Sequence, residues 1–87
     1  MRIEIHPHAY IHGLTDEQIL FAYQTGGSTA LIHRRDRDAE PPRWACIGFD
    51  QNGAPIELVF VKLEEGILIF HANKATKGFI SEIRKGH

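Results

Sequence analysis

The sequence predicts an α+β fold in which helices pack against an antiparallel meander sheet. Three patterns indicate it: a capped helical segment over residues 16–24, about four strand-like segments between residues 29 and 72, and apolar residues at helical spacing near the C-terminus. A chain of 87 residues can build one core, since it buries roughly 60–70% of its unfolded surface. We therefore expect residues 1–87 to form a single domain.

The first predicted elements are a short strand and a short helix. Charged and apolar residues alternate over residues 2–5, which predicts a strand with Ile3 and Ile5 on one face. Pro7 suits the first turn of a helix, where its missing N–H would have no partner in any case. We expect that helix to span residues 7–12 and to end at Gly13.

The second predicted helix, over residues 16–24, has the clearest local signals. Thr15 and Gln18 have the spacing of a capping box, and two acidic residues follow in the first turn, at the positive end of the helix dipole. The pair Gly26-Gly27 ends the segment.

The rest of the chain predicts a meander of strands and a final helix. The strand-like segments are 29–33, 43–49, 56–63 and 67–72. Residues 34–42 have two prolines and no apolar face, which predicts a solvated loop. Residues 56–63 are apolar at nearly every position, as in a central strand covered on both faces. Residues 76–84 repeat apolar side chains at helical spacing and should dock as a helix.

The composition narrows the classes of protein to which the chain can belong. With 43% hydrophobic and 24% charged residues and a net charge of −1, the chain is neither disordered nor a strongly basic nucleic-acid binder. Cys46 is the single cysteine, and its apolar neighbours predict a buried thiol. No segment is long and apolar enough for a membrane helix, so we expect a cytoplasmic protein with no membrane contact and no cofactor.

Histidine and basic residues are the candidates for chemistry. Metal-free RNA cleavage needs a base for the 2′-hydroxyl, an acid for the leaving 5′-oxygen, and positive charge around the phosphate. Imidazole can serve as acid or base near neutral pH. We predict that four residues at strand or helix ends surround such a phosphate. They are His12, Arg43, His71 and Lys74.

A structural role competes with each of these assignments. His12 could stabilise the end of the first helix, and Arg43 and Lys74 could be solvated charges. His71 alternates in phase with Ile67 and Ile69, so its ring could be a half-buried packing group on their face of the sheet.

Four further residues are candidates for RNA contact. Trp44 could stack on an unpaired base, although core packing is an alternative. Lys77 belongs to the positive charge that collects after the last strand, and Arg34 and Arg35 could contact phosphates if nearby acidic residues do not cancel them.

The six histidines also raise the question of a metal site. His8 and His12 would share one face of a helix over residues 7–12, with His6 close by. Zinc requires further ligands that the sequence does not place nearby, and no compact Cys/His signature is present. We therefore predict no metal site.

Several segments together resemble the BrnT-like toxins, which belong to the wider RelE-like ribonuclease fold. The matching pieces, in chain order, are His12-Gly13-Leu14-Thr15, Gln18-Ile19, Ala22, Trp44-Ala45-Cys46-Ile47-Gly48, Asp50, Gly53, Ile56-Glu57-Leu58-Val59, Ile69-Phe70-His71-Ala72 and Ala75-Thr76. The resemblance as a whole extends over residues 8–80, within which these pieces lie. Each piece alone is unspecific, and their order and spacing carry the resemblance.

The resemblance implies a function and a set of partners. It implies the toxin component of a type II toxin–antitoxin system, acting as a metal-independent endoribonuclease on RNA and inhibiting growth. It also implies a cognate antitoxin that covers the toxin. The expected assembly is a toxin–antitoxin hetero-oligomer or a homodimer. The expected fold is α+β with helices against a twisted antiparallel sheet.

Two other functions remain as alternatives. Ile11 stands where BrnT-like sequences often have a lysine, and the C-terminus has fewer arginines than such toxins usually carry, so the chain could be an inactive module of the same fold that only binds a protein partner. A metal-binding domain that uses His6, His8 and His12 is the third hypothesis.

Overall fold

Within residues 2–27, 33–35 and 40–85, which the computed structural model describes, the fold is a five-stranded mixed sheet with one α-helix on each face. In chain order the elements are β1 (Arg2–Ile5), a 3₁₀ helix (Pro7–Tyr10), α1 (Asp16–Gly26), β2 (His33–Arg35), β3 (Arg43–Phe49), β4 (Pro55–Leu63), β5 (Gly66–Lys74) and α2 (Lys77–Lys85). The expected α+β class is confirmed.

The sheet has the strand order β1-β5-β4-β3-β2. Strands β2 to β5 form the antiparallel meander that the sequence predicts. β1 joins the free edge of β5 in parallel, with Ile3 opposite Ile67 and Ile5 opposite Ile69. The first and last strands of the chain are therefore neighbours.

Two apolar clusters hold the helices against the sheet. The larger lies between the sheet and α1, where Phe60 and Ile69 meet Ile19 of the helix, all fully buried. The smaller lies on the other face, where Val59 packs with Phe79 and Ile83 of α2. The central strand β4 is thus covered on both faces, as its apolar sequence predicts.

The start of α1 matches its sequence signals. The Thr15 hydroxyl accepts a hydrogen bond from the Gln18 backbone N–H at 3.2 Å, and the Gln18 side chain accepts one from the Thr15 N–H at 2.9 Å. This is the predicted capping box. The helix extends to Gly26, two residues beyond the predicted end.

Two predictions about the connections differ from the structure. The first helix is a single 3₁₀ turn over Pro7–Tyr10 rather than a helix over residues 7–12, because the N–H groups of Ala9 and Ile11 bond three residues back. Arg34 and Arg35 belong to strand β2 rather than to a loop, because their backbones pair with β3, and an edge strand tolerates charge. Of the predicted strand 29–33 and loop 34–42, residues 29–32 and 36–39 lie outside the described residues.

The described part of the chain contains no helix that is long and apolar enough to cross a membrane. Cys46 is a fully buried free thiol, as predicted, and burial raises its pKa to about 12. At neutral pH it is therefore protonated, which makes it a packing residue and a poor nucleophile.

A matched pair of glycine variants tests the packing of α1 on β3. A Cβ at Gly48 would overlap the Ala22 carbonyl of α1, whereas a Cβ at Gly78 in α2 would meet nothing within 4 Å. We expect Gly48→Ala to lower the free energy of unfolding by about 3 kcal/mol or more, because backbone atoms must move apart. Gly78→Ala should leave it unchanged or raise it by up to about 1 kcal/mol. Urea denaturation measures both, and equal effects would contradict the close approach.

Candidate functional site

A β-bulge in β5 decides where His71 lies. Val59 of β4 pairs with His71 and Phe60 pairs with Ile69, so Phe70 is an extra residue in β5. Side chains alternate between the faces of a strand, and the extra residue reverses that alternation. His71 therefore lies on the α2 face, opposite Ile67 and Ile69, and the prediction that it shares their face is wrong. Phe70 and His71 both lie on this face.

His71 is held on the α2 face by a buried carboxylate. Its Nε2 lies 2.7 Å from Oε2 of Glu57, which is only 5% exposed. The His71 ring also stacks on Phe79 of α2, with 6.5 Å between ring centroids. When Glu57 is ionised it accepts the Nε2–H of His71, and the Nδ1 atom is then the nitrogen that can accept a proton.

The same carboxylate anchors the start of α2. Oε1 of Glu57 accepts hydrogen bonds from the Thr76 backbone N–H at 2.9 Å and from the Thr76 hydroxyl at 3.1 Å. The Thr76 hydroxyl in turn accepts from the N–H of Phe79 at 3.2 Å, which is a helix-capping contact. One glutamate thus fixes the orientation of His71 and the position of α2.

His12 approaches His71 from the neighbouring loop. The two rings meet edge to face, with 5.6 Å between their centroids and 78° between their planes. His12 is exposed, whereas His71 is partly buried. The two imidazoles that the sequence singled out are therefore neighbours, one firmly held and one at the surface.

The loop that carries His12 is fixed at both ends. Gly13 has a φ of +83°, and its N–H donates to the Tyr10 carbonyl at 3.1 Å. The Tyr10 hydroxyl donates to the Asp16 carboxylate in the first turn of α1, and this bond raises the pKa of Tyr10. The short loop therefore presents His12 beside β5 with little freedom of the backbone.

Arg43 lies on the same face of the sheet as His71. Its cross-strand partner is Val61, two residues from Val59, and its guanidinium carbon lies 4.9 Å from the centroid of the Phe70 ring. Because Phe70 precedes His71 directly, Arg43 contacts the chain neighbour of His71.

Of the other predicted site residues, Lys74 and Trp44 lie on the opposite face of the sheet. Lys74 pairs with Ile56, whose side chain belongs to the α1 face, so it lies opposite His71. Trp44 packs on that face too, with the Lys62 ammonium 4.1 Å from its ring centroid. Lys77 is exposed in the first turn of α2. Arg34 and Arg35 belong to the edge strand β2.

The arrangement of the described residues does not support the hypothesis of a metal site. Because the 3₁₀ helix ends at Tyr10, His8 and His12 do not share a helical face. His6 instead caps this turn, with its Nδ1 accepting from the His8 N–H at 3.0 Å. Among the residues whose placement is described, no group of three or more His, Cys, Asp or Glu side chains could hold a metal ion.

Glu57 is the site residue that the sequence analysis missed. It is the only charged residue between Ile56 and Val61 in β4, and all its neighbours in that span are apolar and buried. A carboxylate in such a strand needs partners, because an unpaired buried charge is very costly. An acidic residue in an otherwise apolar central strand is therefore the sequence signal that could have identified Glu57.

A pair of threonine variants tests the anchoring of α2. We expect Thr76→Ala to lower the free energy of unfolding by about 1–2 kcal/mol, because it removes a capping hydroxyl and one donor to the buried Glu57. Thr76→Ser keeps the hydroxyl and should cost less than about 0.5 kcal/mol. Thermal and urea unfolding give the comparison. Equal stability of the two variants would show that the hydroxyl contributes nothing.

Comparisons of the chain with models of protein families, with curated proteins and with solved structures found no match.

Proposed function

We propose that the protein is a metal-independent endoribonuclease in which His12 and His71 act as an acid–base pair. The observation that carries this proposal is the contact of the two imidazoles at 5.6 Å between centroids, with His71 held by the buried Glu57. A carboxylate that orients one ring nitrogen so that the other can take a proton is a recurring arrangement in hydrolytic sites. Here Glu57 is a positioning residue.

The roles follow from the hydrogen bonds. With Nε2–H donated to Glu57, Nδ1 of His71 takes the proton of an RNA 2′-hydroxyl as the 2′-oxygen attacks phosphorus. The bond from phosphorus to the 5′-oxygen breaks, and protonated His12 gives its proton to that oxygen. The products are a 2′,3′-cyclic phosphate and a 5′-hydroxyl end, and the two protons balance. Arg43, on the same face, supplies positive charge near the phosphate.

In the cell we propose the role of a type II toxin that a cognate antitoxin covers. The support for this is the ordered set of BrnT-like segments in the sequence, of which Glu57 and His71 are both members. An RNase of this kind inhibits growth unless its partner blocks the site. An inactive module of the same fold would keep the partner and lose the cleavage.

Cleavage of single-stranded RNA by the purified protein in EDTA tests the chemistry. His12→Ala and His71→Ala should each lower the rate by about 100-fold or more, the usual contribution of a general acid or base. Gln24→Ala, an exposed position on α1, is the control and should retain full activity. A substrate with sulfur in place of the bridging 5′-oxygen needs no acid and should restore His12→Ala alone. Intact RNA with the wild-type protein would refute the proposal.

Induced expression in a bacterial host tests the cellular role. Wild-type protein should arrest growth, because cleavage of messenger RNA stops protein synthesis, and His71→Ala should relieve the arrest at equal protein level. Co-expression of the adjacent reading frame should restore growth and yield a complex on pull-down. Equal growth of wild-type and His71→Ala cells would contradict the toxin role, and a complex without arrest would favour the inactive module.

A further inference from the structure

The α2 face carries a groove that the histidine pair does not occupy. It has a volume of about 480 Å³, which is within the usual range for small-ligand sites. Apolar side chains of β4 and β5 line it, namely Val61, Leu68 and Phe70, and the polar residues His8, Glu40 and Arg43 also face it. The groove therefore combines an apolar surface with hydrogen-bonding side chains, of which Glu40 is acidic and Arg43 is basic.

The groove adjoins the proposed catalytic pair through two connections. Phe70 lines the groove and His71 follows it, and the bulge places both on the same face. His8 also lines the groove and lies four residues before His12, in the segment that packs along β5. A ligand whose phosphate contacts the exposed side of the histidine pair would have its neighbouring groups near the groove.

The chemistry of the groove fits a planar heterocycle with polar edges. The Arg43 guanidinium lies over the Phe70 ring, 4.9 Å from its centroid, and aromatic and guanidinium planes are the groups on which unpaired RNA bases stack. His8 and Glu40 offer donors and acceptors for the edges of a base.

We propose that the groove binds the nucleobase next to the scissile phosphate of single-stranded RNA, stacked on the platform that Phe70 and the Arg43 guanidinium form together. This inference rests on the proposed ribonuclease function and adds a base-binding subsite to it. It assigns the groove to substrate binding, separate from the proton transfers of His12 and His71.

Two substrates separate the groove from the chemistry. Ribodinucleotides contain bases, whereas 2-hydroxypropyl 4-nitrophenyl phosphate has the hydroxyl and the phosphodiester but no base. We expect Phe70→Leu to lower kcat/KM for ribodinucleotides by about tenfold, through KM, since stacking on an aromatic ring contributes strongly to base binding. Cleavage of the base-free ester should fall by a smaller factor, because that substrate uses only the groups that act on the phosphate. Phe49→Leu, an exposed phenylalanine outside the groove, is the matched control.

A second variant and a binding measurement complete the test. Leu68→Trp fills the groove and should weaken dinucleotide cleavage while sparing the base-free ester, and His71→Ala should abolish cleavage of both. Equal loss on both substrates for Phe70→Leu, or no loss on either, would overturn the subsite. If the wild-type protein cleaves neither substrate, the ribonuclease proposal fails. Binding of nucleoside 3′-monophosphates, compared with binding of ribose 5-phosphate, then tests the groove by itself. Tighter binding of the nucleotides supports a base-binding groove, and equal binding overturns it. Loss of a protein partner with unchanged dinucleotide cleavage would assign the groove to that partner.

Discussion

The buried carboxylate of Glu57 is the interaction on which the rest of the α2 face depends. It receives hydrogen bonds from His71 on β5 and from the backbone and hydroxyl of Thr76 ahead of α2. A carboxyl group so deep in a sheet is tolerated only when its oxygens have hydrogen-bond partners. Within the described residues no buried side-chain nitrogen or oxygen lacks a hydrogen bond. The position of α2 and the orientation of His71 thus both follow from the need of the Glu57 oxygens for hydrogen-bond donors.

This arrangement links the stability of the fold to the geometry of the candidate site. A hydrophobic residue at position 57 would carry a smaller desolvation cost, yet it would remove the hydrogen-bond acceptor of His71 and of Thr76 ahead of α2. The fold accepts a buried charge where an apolar side chain would suffice for packing. Such local conflicts with simple burial patterns are expected where a structure serves a site.

Much of the fold could be predicted from the sequence because its signals are local. The capping box at Thr15 and Gln18 and the apolar run of β4 determine their elements through neighbouring residues. The bulge at Phe70 could not be predicted in this way, because it depends on the register between β4 and β5. The parallel pairing of β1 with β5 is likewise a long-range event, and so is the pairing of Arg34 and Arg35 with β3.

The candidate site was predictable only in part, for the same reason. His12 and His71 could be selected by residue type and position at element ends, and the structure brings them together. Lys74 and Trp44 were selected in the same way, but strand alternation places them on the opposite face. Residue type therefore identified the groups, whereas the register of the sheet decided which of them meet.

The pairing of β1 with β5 has a consequence for how the chain is made. The segment that carries His12 lies beside His71 only when the first strand has docked on the last. During synthesis, the early part of the chain waits for β5 to leave the ribosome before this contact can form. A truncated or nascent chain that ends before Lys74 has both α1 and the loop of His12, but it lacks a complete strand β5. The histidine pair is therefore assembled late, as one of the final tertiary contacts of the growing polypeptide.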